Sequence, residues 1–208
     1  MDVPFPPDLA SVLTGASLSQ LAAWRRPPPV LVPEVSSAGR IEYSFRDLVA
    51  LRSFVRLRSQ VSLQKIRKAL TSLRGFDLTD HPSQYQLVTD GDSVFLVQEE
   101  NAIDLVRKPG QQTLLSLADI FRPFENRQGR EVVDFQRPRE RLQVREQRLG
   151  GWPTIQNTRV GYDSVAKLIE GGVSASDVSH FYSTVDAPSA EDAYSLFGEV
   201  RGLRSATG

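Results

Sequence analysis

The chain has 208 residues, 25 basic and 25 acidic side chains, two histidines and no cysteine. A hydrophobic content of 40% supports a packed core, and the length allows one large domain or two small ones. The absence of cysteine excludes disulfides, thiolate-bound zinc and catalytic thiols. His81 and His180 stand far apart in dissimilar contexts, so neither a metal nor a cofactor is expected.

In chain order, Asp8 to Leu13 predicts a short helix with Leu9, Val12 and Leu13 on its apolar side. Gly15 marks a turn, and Ser17 is a plausible N-cap for a second helix running to Arg25 or Arg26. Pro27-Pro28-Pro29 stops that helix. Val30-Leu31-Val32 and Arg40 to Tyr43 read as extended pieces flanking a polar tip at Ser36 to Gly39, a wing-like hairpin. Ser44 with Asp47 predicts a capped helix whose buried stripe is Leu48, Leu51, Val55 and Leu57. Ser62 caps the next, where Ile66, Ala69, Leu70 and Leu73 recur at helical spacing.

After Gly75 the pattern alternates. Tyr85, Leu87 and Val94 to Val97 flank Asp90-Gly91-Asp92, a hairpin signal. A further strand is expected through Ile103 to Val106, and a short helix from Leu114 to Phe121. Residues 122–148, rich in Arg, Gln and Glu, read as short β pieces and linker. From Gly150 a helical unit follows: a Gly-Gly-Trp-Pro turn, then a helix from near Tyr162 closed at Gly171-Gly172. Ser174 with Asp177 starts a helix over Val178 to Tyr182, and Ser189 with Asp192 starts a third. Tyr162, Phe181, Tyr182 and Phe197 are expected to pack its core. The fold class is therefore mainly α with small β elements (α+β), divided as 1–78, 79–125 and 126–208.

The neutral net charge conceals a segregation. Residues 1–78 carry eleven basic and six acidic side chains, about +5, and residues 79–121 about −5. A basic front suits a phosphate-binding module, because counterion release drives much of that affinity. The order of helix, glycine turn, capped helix, wing and two further helices resembles the DNA-binding domain of the MerR-type winged-helix regulators. Tyr43, the Ser44-x-x-Asp47 helix start and Ser62-Leu63-x-x-Ile66 carry that resemblance. It implies that the second helix enters the major groove. Ser17, Ser19, Gln20, Arg25 and Arg26 are then DNA-facing candidates, with Gln20 suited to adenine. Arg40 and Arg46 are phosphate candidates, and the resemblance makes Tyr43 a sugar-phosphate contact. Ala22-Ala23 stand where the family usually has Arg-Tyr, which leaves protein interaction open as another use of this helix.

The C-terminal segment resembles the "domain of unknown function 433" family, associated with VapB-type antitoxins. Gly150, Gly151, Pro153, Thr158, Arg159, Val160, Gly171, Val173, Val178, Tyr182 and Ser189-x-x-Asp192 carry the match. Asn157 stands where glycine is common. Together the two resemblances imply a type II antitoxin that neutralises a PIN-like ribonuclease toxin encoded nearby and, as a homodimer, represses its own operon at operator DNA. Arg137, Arg139, Arg141, Arg145 and Arg159 are the candidates for an acidic partner, against the alternative that they are solvated or paired with nearby glutamates. A plain MerR-like regulator with a C-terminal effector domain is the second reading. No catalytic constellation is visible, so an enzyme is not expected. The N-terminus lacks a basic-then-apolar leader and no 18-residue apolar run exists, which predicts a cytoplasmic protein without membrane contact.

Overall fold

Serine side chains set three of the first four helix starts. The computed structural model describes residues 3–37, 39–78, 80–89, 92–98, 101–106, 112–113 and 120–205. Within it α1 (Pro7–Thr14) begins on proline, whose missing N–H would have been unpaired at a helix start anyway. α2 (Leu18–Arg25) is capped by Ser17 in a reciprocal box with Gln20. α3 (Phe45–Gln60) is capped by Ser44 in the same way with Asp47, and α4 (Leu63–Gly75) by Ser62. Gly15, at φ 78°, ends α1, and a Cβ there would stand 2.5 Å from a methyl of Val132. Handedness and close approach both select glycine at that turn.

α3 is buried nearly all round, not along one stripe. Besides Leu48, Leu51, Val55 and Leu57 it buries Ala50, Arg52, Ser53 and Phe54. A four-stranded antiparallel sheet packs beside α3 and α4. Its strands are β1 (Gln86–Thr89), β2 (Val94–Gln98), β3 (Asn101–Asp104) and β4 (Gln112–Thr113), in that spatial order. The hairpin expected about Asp90-Gly91-Asp92 is present, with Thr89 paired to Val94. Asp90, Gly91 and most of the helix expected over Leu114 to Phe121 lie outside the described residues; positions 120 and 121 form a turn.

The wing differs from the expected strand pair. Val30 donates its N–H to Trp24 O, and Tyr43 pairs its backbone with Phe5. Ser37 and Arg40 make a single bridge at the tip, and Ser36 Oγ takes the place of a ladder by bonding both N and O of Glu42. With the Val30 and Leu31 N–H groups turned back onto Trp24 O and Tyr43 committed to Phe5, no ladder joins the two pieces among the described residues.

Residues 122–148 are part of the core and not a linker. β5 (Phe124–Glu125) pairs with β6 (Glu131–Val132), and Val132, Phe135, Leu142 and Val144 are buried. β7 (Leu142–Gln143) pairs with β8 (Thr154–Ile155), which leads to α5 (Tyr162–Glu170). Ser174 caps the next turn, a 3₁₀ helix over Ala175–His180 that starts earlier than expected. α6 (Ala187–Ser205) also starts earlier. The Asp186 carboxylate accepts the Ser189 N–H at 3.0 Å, so Asp186, ahead of Ala187-Pro188, is the cap in place of Ser189. Phe181 is exposed, while Tyr162 is buried and Tyr182 and Phe197 are partly buried. Residues from all three predicted segments join one hydrophobic cluster.

The three segments meet at Arg52, which is fully buried. Its Nη1 donates to Leu13 O at 2.8 Å, on the last turn of α1. Its Nε donates to Ile120 O at 2.6 Å, and Nη2 faces the carbonyls of Phe121, Arg122 and Val133 at 2.7–3.1 Å. The rings of Phe124 and Phe135 lie 5.2 and 5.6 Å from the guanidinium carbon.

Arg52→Met is expected to destabilise the chain by about 4 kcal/mol or more, since each buried carbonyl left without a donor costs roughly 1–3 kcal/mol. Arg52→Lys should recover less than half, because an ammonium lacks the planar fork. Denaturant titration of the two variants measures this. At Asp186 the folded-state pKa is held below the ordinary 3.8, chiefly by its hydrogen bonds with Ser189. Its contribution is therefore present above the unfolded value and lost as pH falls from about 3.8 through the lower folded value. Asp186→Asn should keep the cap and flatten that acid limb, and Asp186→Ala should lose about 1 kcal/mol at neutral pH; thermal melts from pH 2 to 7 would show both.

Candidate functional site: a nucleic-acid and partner interface

α2 turns Leu21 and Trp24 into the core and leaves Ser19, Ala23 and Arg26 exposed. Gln20 is only half free. Its Oε1 accepts the Ser17 N–H at 2.8 Å, which commits the amide oxygen to the capping box and away from an adenine edge. Ser17 and Ser19 share a hydroxyl contact at 2.9 Å. Arg25 folds back: its Nη1 donates to Leu21 O and, at 2.6 Å, to the Tyr43 hydroxyl.

Tyr43 is 1% exposed, which leaves it no face for a sugar-phosphate contact. This corrects the expectation drawn from the wing resemblance. Burial pushes its hydroxyl pKa up while Arg25 opposes the shift. Arg40 pairs with Glu42 at 2.8 Å and Arg46 with Glu34 at 3.4 Å, so both phosphate candidates are exposed but partly neutralised. The Arg26 side chain is exposed and has no polar partner among the described residues. The helix thus presents a small-residue face, Ser19-x-x-Ala22-Ala23, ending in one open cation.

The five partner candidates divide in two. Arg139 is tied to α6, its Nη2 2.7 Å from Glu199 and its Nε 3.2 Å from Ser195 Oγ. The Arg141 backbone N–H donates to Asp192 at 2.8 Å, with the guanidinium 3.7 Å from Asp186. These two hold residues 137–143 onto α6. Arg137, Arg145 and Arg159 are exposed, and none has a polar side-chain partner among the described residues. Arg137 and Arg145 line one groove of about 450 Å³ with Phe45, Phe121 and Phe135. The Phe121 and Phe135 rings stack at 5.5 Å, and Phe45 tilts onto Phe135 at 5.8 Å. Nothing in the sequence pattern singled out these phenylalanines, although Phe45, an apolar residue directly after the Ser44 cap, is an unusual choice for an exposed first turn.

The C-terminal unit is built around tight turns. Gly150 and Gly151 have φ 61° and 86°, and a Cβ on Gly151 would overlap the Phe45 ring. Asn157 takes φ 60°, the left-handed conformation glycine would supply, so its departure from the family pattern leaves the turn in place. Thr158 closes that turn, its hydroxyl donating to Ile155 O and accepting from Val160 N–H. Tyr162 N–H donates to Pro153 O.

Residues 143–195 match the family described as "Protein of unknown function (DUF433)". The DUF433 segment therefore spans β7 through the first half of α6 and includes Arg145, Arg159 and the Gly150-Gly151 turn. A comparison with curated proteins finds no match. Among solved structures, the crystal structure of Rv2018 from Mycobacterium tuberculosis is similar, with a TM-score of 0.54 over 93% of this chain and 98% of that one. At 16% identity the likeness is one of fold. Among the described residues no helix is long and apolar enough to cross a membrane.

Arg139→Ala is expected to lower stability by about 1 kcal/mol, the upper end for a half-exposed ion pair. Arg137→Ala and Arg145→Ala should each shift it by less than about 0.5 kcal/mol, as surface substitutions do. Denaturant midpoints of the three variants would separate the residues that hold the fold from those open to a partner.

Proposed function

We propose that this chain is the antitoxin of a bacterial type II toxin–antitoxin pair, a non-enzymatic cytoplasmic protein that neutralises a PIN-like ribonuclease by direct binding. The observation that carries this reading is the joining of a helix-turn-helix to a DUF433 segment through one shared core, with Arg137, Arg145 and Arg159 left open on the surface. Unpaired guanidinium groups suit the acidic, metal-dependent active site of such a toxin. In the same reading a homodimer binds its operator through α2, where Ser19 and Arg26 are the side chains free to touch DNA. The small faces of Ala22 and Ala23 let the helix backbone approach closely, and the partly neutralised Arg40 and Arg46 add weak phosphate attraction.

A second reading, a MerR-like regulator that binds a small molecule, is favoured by the groove over Phe45, Phe121 and Phe135, whose volume of about 450 Å³ is of ligand size.

Fluorescence anisotropy on the chain's own promoter DNA, at two salt concentrations and with or without the adjacent gene's product, tests both. The antitoxin reading expects salt-sensitive binding that the neighbour's product modulates. Arg26→Ala should weaken it and flatten the log–log salt slope by about one. Ser19→Ala and Arg26→Ala are the informative variants, because altering Gln20 or Arg25 would also disturb the α2 cap or the Tyr43 packing. A stable complex with the neighbour but no DNA binding would leave an antitoxin whose helix-turn-helix serves protein contact. Neither complex nor DNA binding, with a thermal shift on adding a small effector, would replace the reading with the regulator.

A further inference from the structure

We propose that Glu34, Asp47 and His81 form a binding site for a divalent transition-metal cation, with zinc as its natural probe. The three residues lie far apart in sequence, on the wing loop, in the first turn of α3 and before the Pro82–Gln84 turn that leads into β1. Each offers one ligand atom, and these atoms all lie within 4.8 Å of one another.

The inner pair, hydrogen-bonded to each other as they stand, are spaced as two ligands on one ion would be. His81 Nε2 stands 3.1 Å from Asp47 Oδ1. Ligands held at about 2.0–2.1 Å from zinc, at angles between a right angle and tetrahedral, are roughly 2.9–3.4 Å apart. Glu34 reaches the same region from an exposed loop, and closing on an ion would exchange its 3.4 Å contact with Arg46 for the metal.

The outer shell of the site is formed as well. Asp47 Oδ2 accepts the backbone N–H groups of Ser44 and Glu34, at 2.8 and 3.0 Å, which leaves Oδ1 turned toward His81. Glu34 Oε2 accepts the Ser44 hydroxyl at 2.8 Å. His81 Nδ1 accepts the Ser83 N–H at 3.2 Å and lies 2.8 Å from Ser83 Oγ, so Nε2 carries the proton toward Asp47. A bound ion would take the place of that proton, with Nδ1–H then donating to Ser83 Oγ. Each side chain thus has one polar atom held by Ser44, Glu34 or Ser83 backbone or hydroxyl groups, while the second atom of Asp47 meets His81 and that of Glu34 meets Arg46.

Charge points the same way. The Asp47 side chain is fully buried and that of His81 is 9% exposed, while the nearest cation, Arg46, meets Glu34 from the solvent side at 3.4 Å. Two carboxylates and a neutral imidazole balance a divalent ion without residual charge. Nitrogen and oxygen donors without sulfur select zinc, manganese, cobalt or nickel over copper(I). Three protein ligands leave a position for water. The ion would clip the wing loop and the sheet to the start of α3, independently of what the helix-turn-helix binds.

The test is calorimetric titration of Zn²⁺ into chelator-stripped full-length protein, alongside thermal melts with and without the ion. Wild type is expected to take up one equivalent and to melt at a higher temperature when loaded. Glu34→Gln and His81→Gln should each weaken binding beyond the roughly 10–100-fold that loss of an outer-shell partner costs. The glutamine at 81 can still donate to Asp47, and far-UV circular dichroism of both variants confirms that they fold. His180→Gln removes the exposed histidine beside Asp177 and should change nothing. Absence of zinc uptake at millimolar concentration, uptake unaffected by both site variants, or uptake abolished by His180→Gln would each overturn the proposal.

Discussion

A guanidinium without access to water organises this molecule. Burying a charged group is costly unless its donors are satisfied, and Arg52 meets that condition with backbone carbonyls from the last turn of α1 and from both sides of the β5–β6 hairpin. A planar fork can address several carbonyls at once, and carbonyls at a helix end carry partial negative charge. The consequence is topological. Residues 120–135 are held both by Phe121, Phe124, Val132 and Phe135 packing into the core and by their backbone carbonyls on Arg52. The Asp8–Arg204 ion pair then closes the ends of the chain upon each other.

Much of this was legible in the sequence, and the reason differs from element to element. Ser17, Ser44 and Ser62 announce helices because a capping side chain acts on the N–H groups immediately after it, a purely local interaction. The β1–β2 hairpin follows from two-residue alternation about an Asp-Gly turn, again local. Arg52 was invisible because Arg46, Arg52, Arg56 and Arg58 share one helix and nothing local distinguishes the buried one; its partners lie 39 to 81 residues away. The wing carries β-like side chains, but its backbone donors bond to Trp24 and Phe5 across the fold, partners that no local pattern announces. The cap of α6 lies three residues earlier than the pattern predicts, because Ser189-x-x-Asp192 imitates a cap that Asp186 already supplies.

The candidate sites divide on the same line. Composition shows a basic front, but the structure decides which charges face outward unpaired. Glu34 and Glu42 draw Arg46 and Arg40 toward themselves, and Tyr43 takes Arg25, so the formal excess of residues 1–78 overstates the field that an approaching polyanion meets. Toward the C-terminus the division runs the other way. Arg139 and Arg141 are consumed in holding the chain to α6, while the two arginines that bracket the phenylalanine groove stay open.

The seam between Gly151 and Phe45 bears on how such chains arise. The ring at the first position of α3 occupies the volume a side chain at 151 would need, so the two positions are not free to vary separately. A segment of this type moved by recombination behind a different front half would meet a mismatched surface there, either a cavity in place of the ring or a collision with it. Because position 151 needs glycine for its left-handed backbone in any case, it is the residue at position 45, and not the glycine, that must be fitted to the seam.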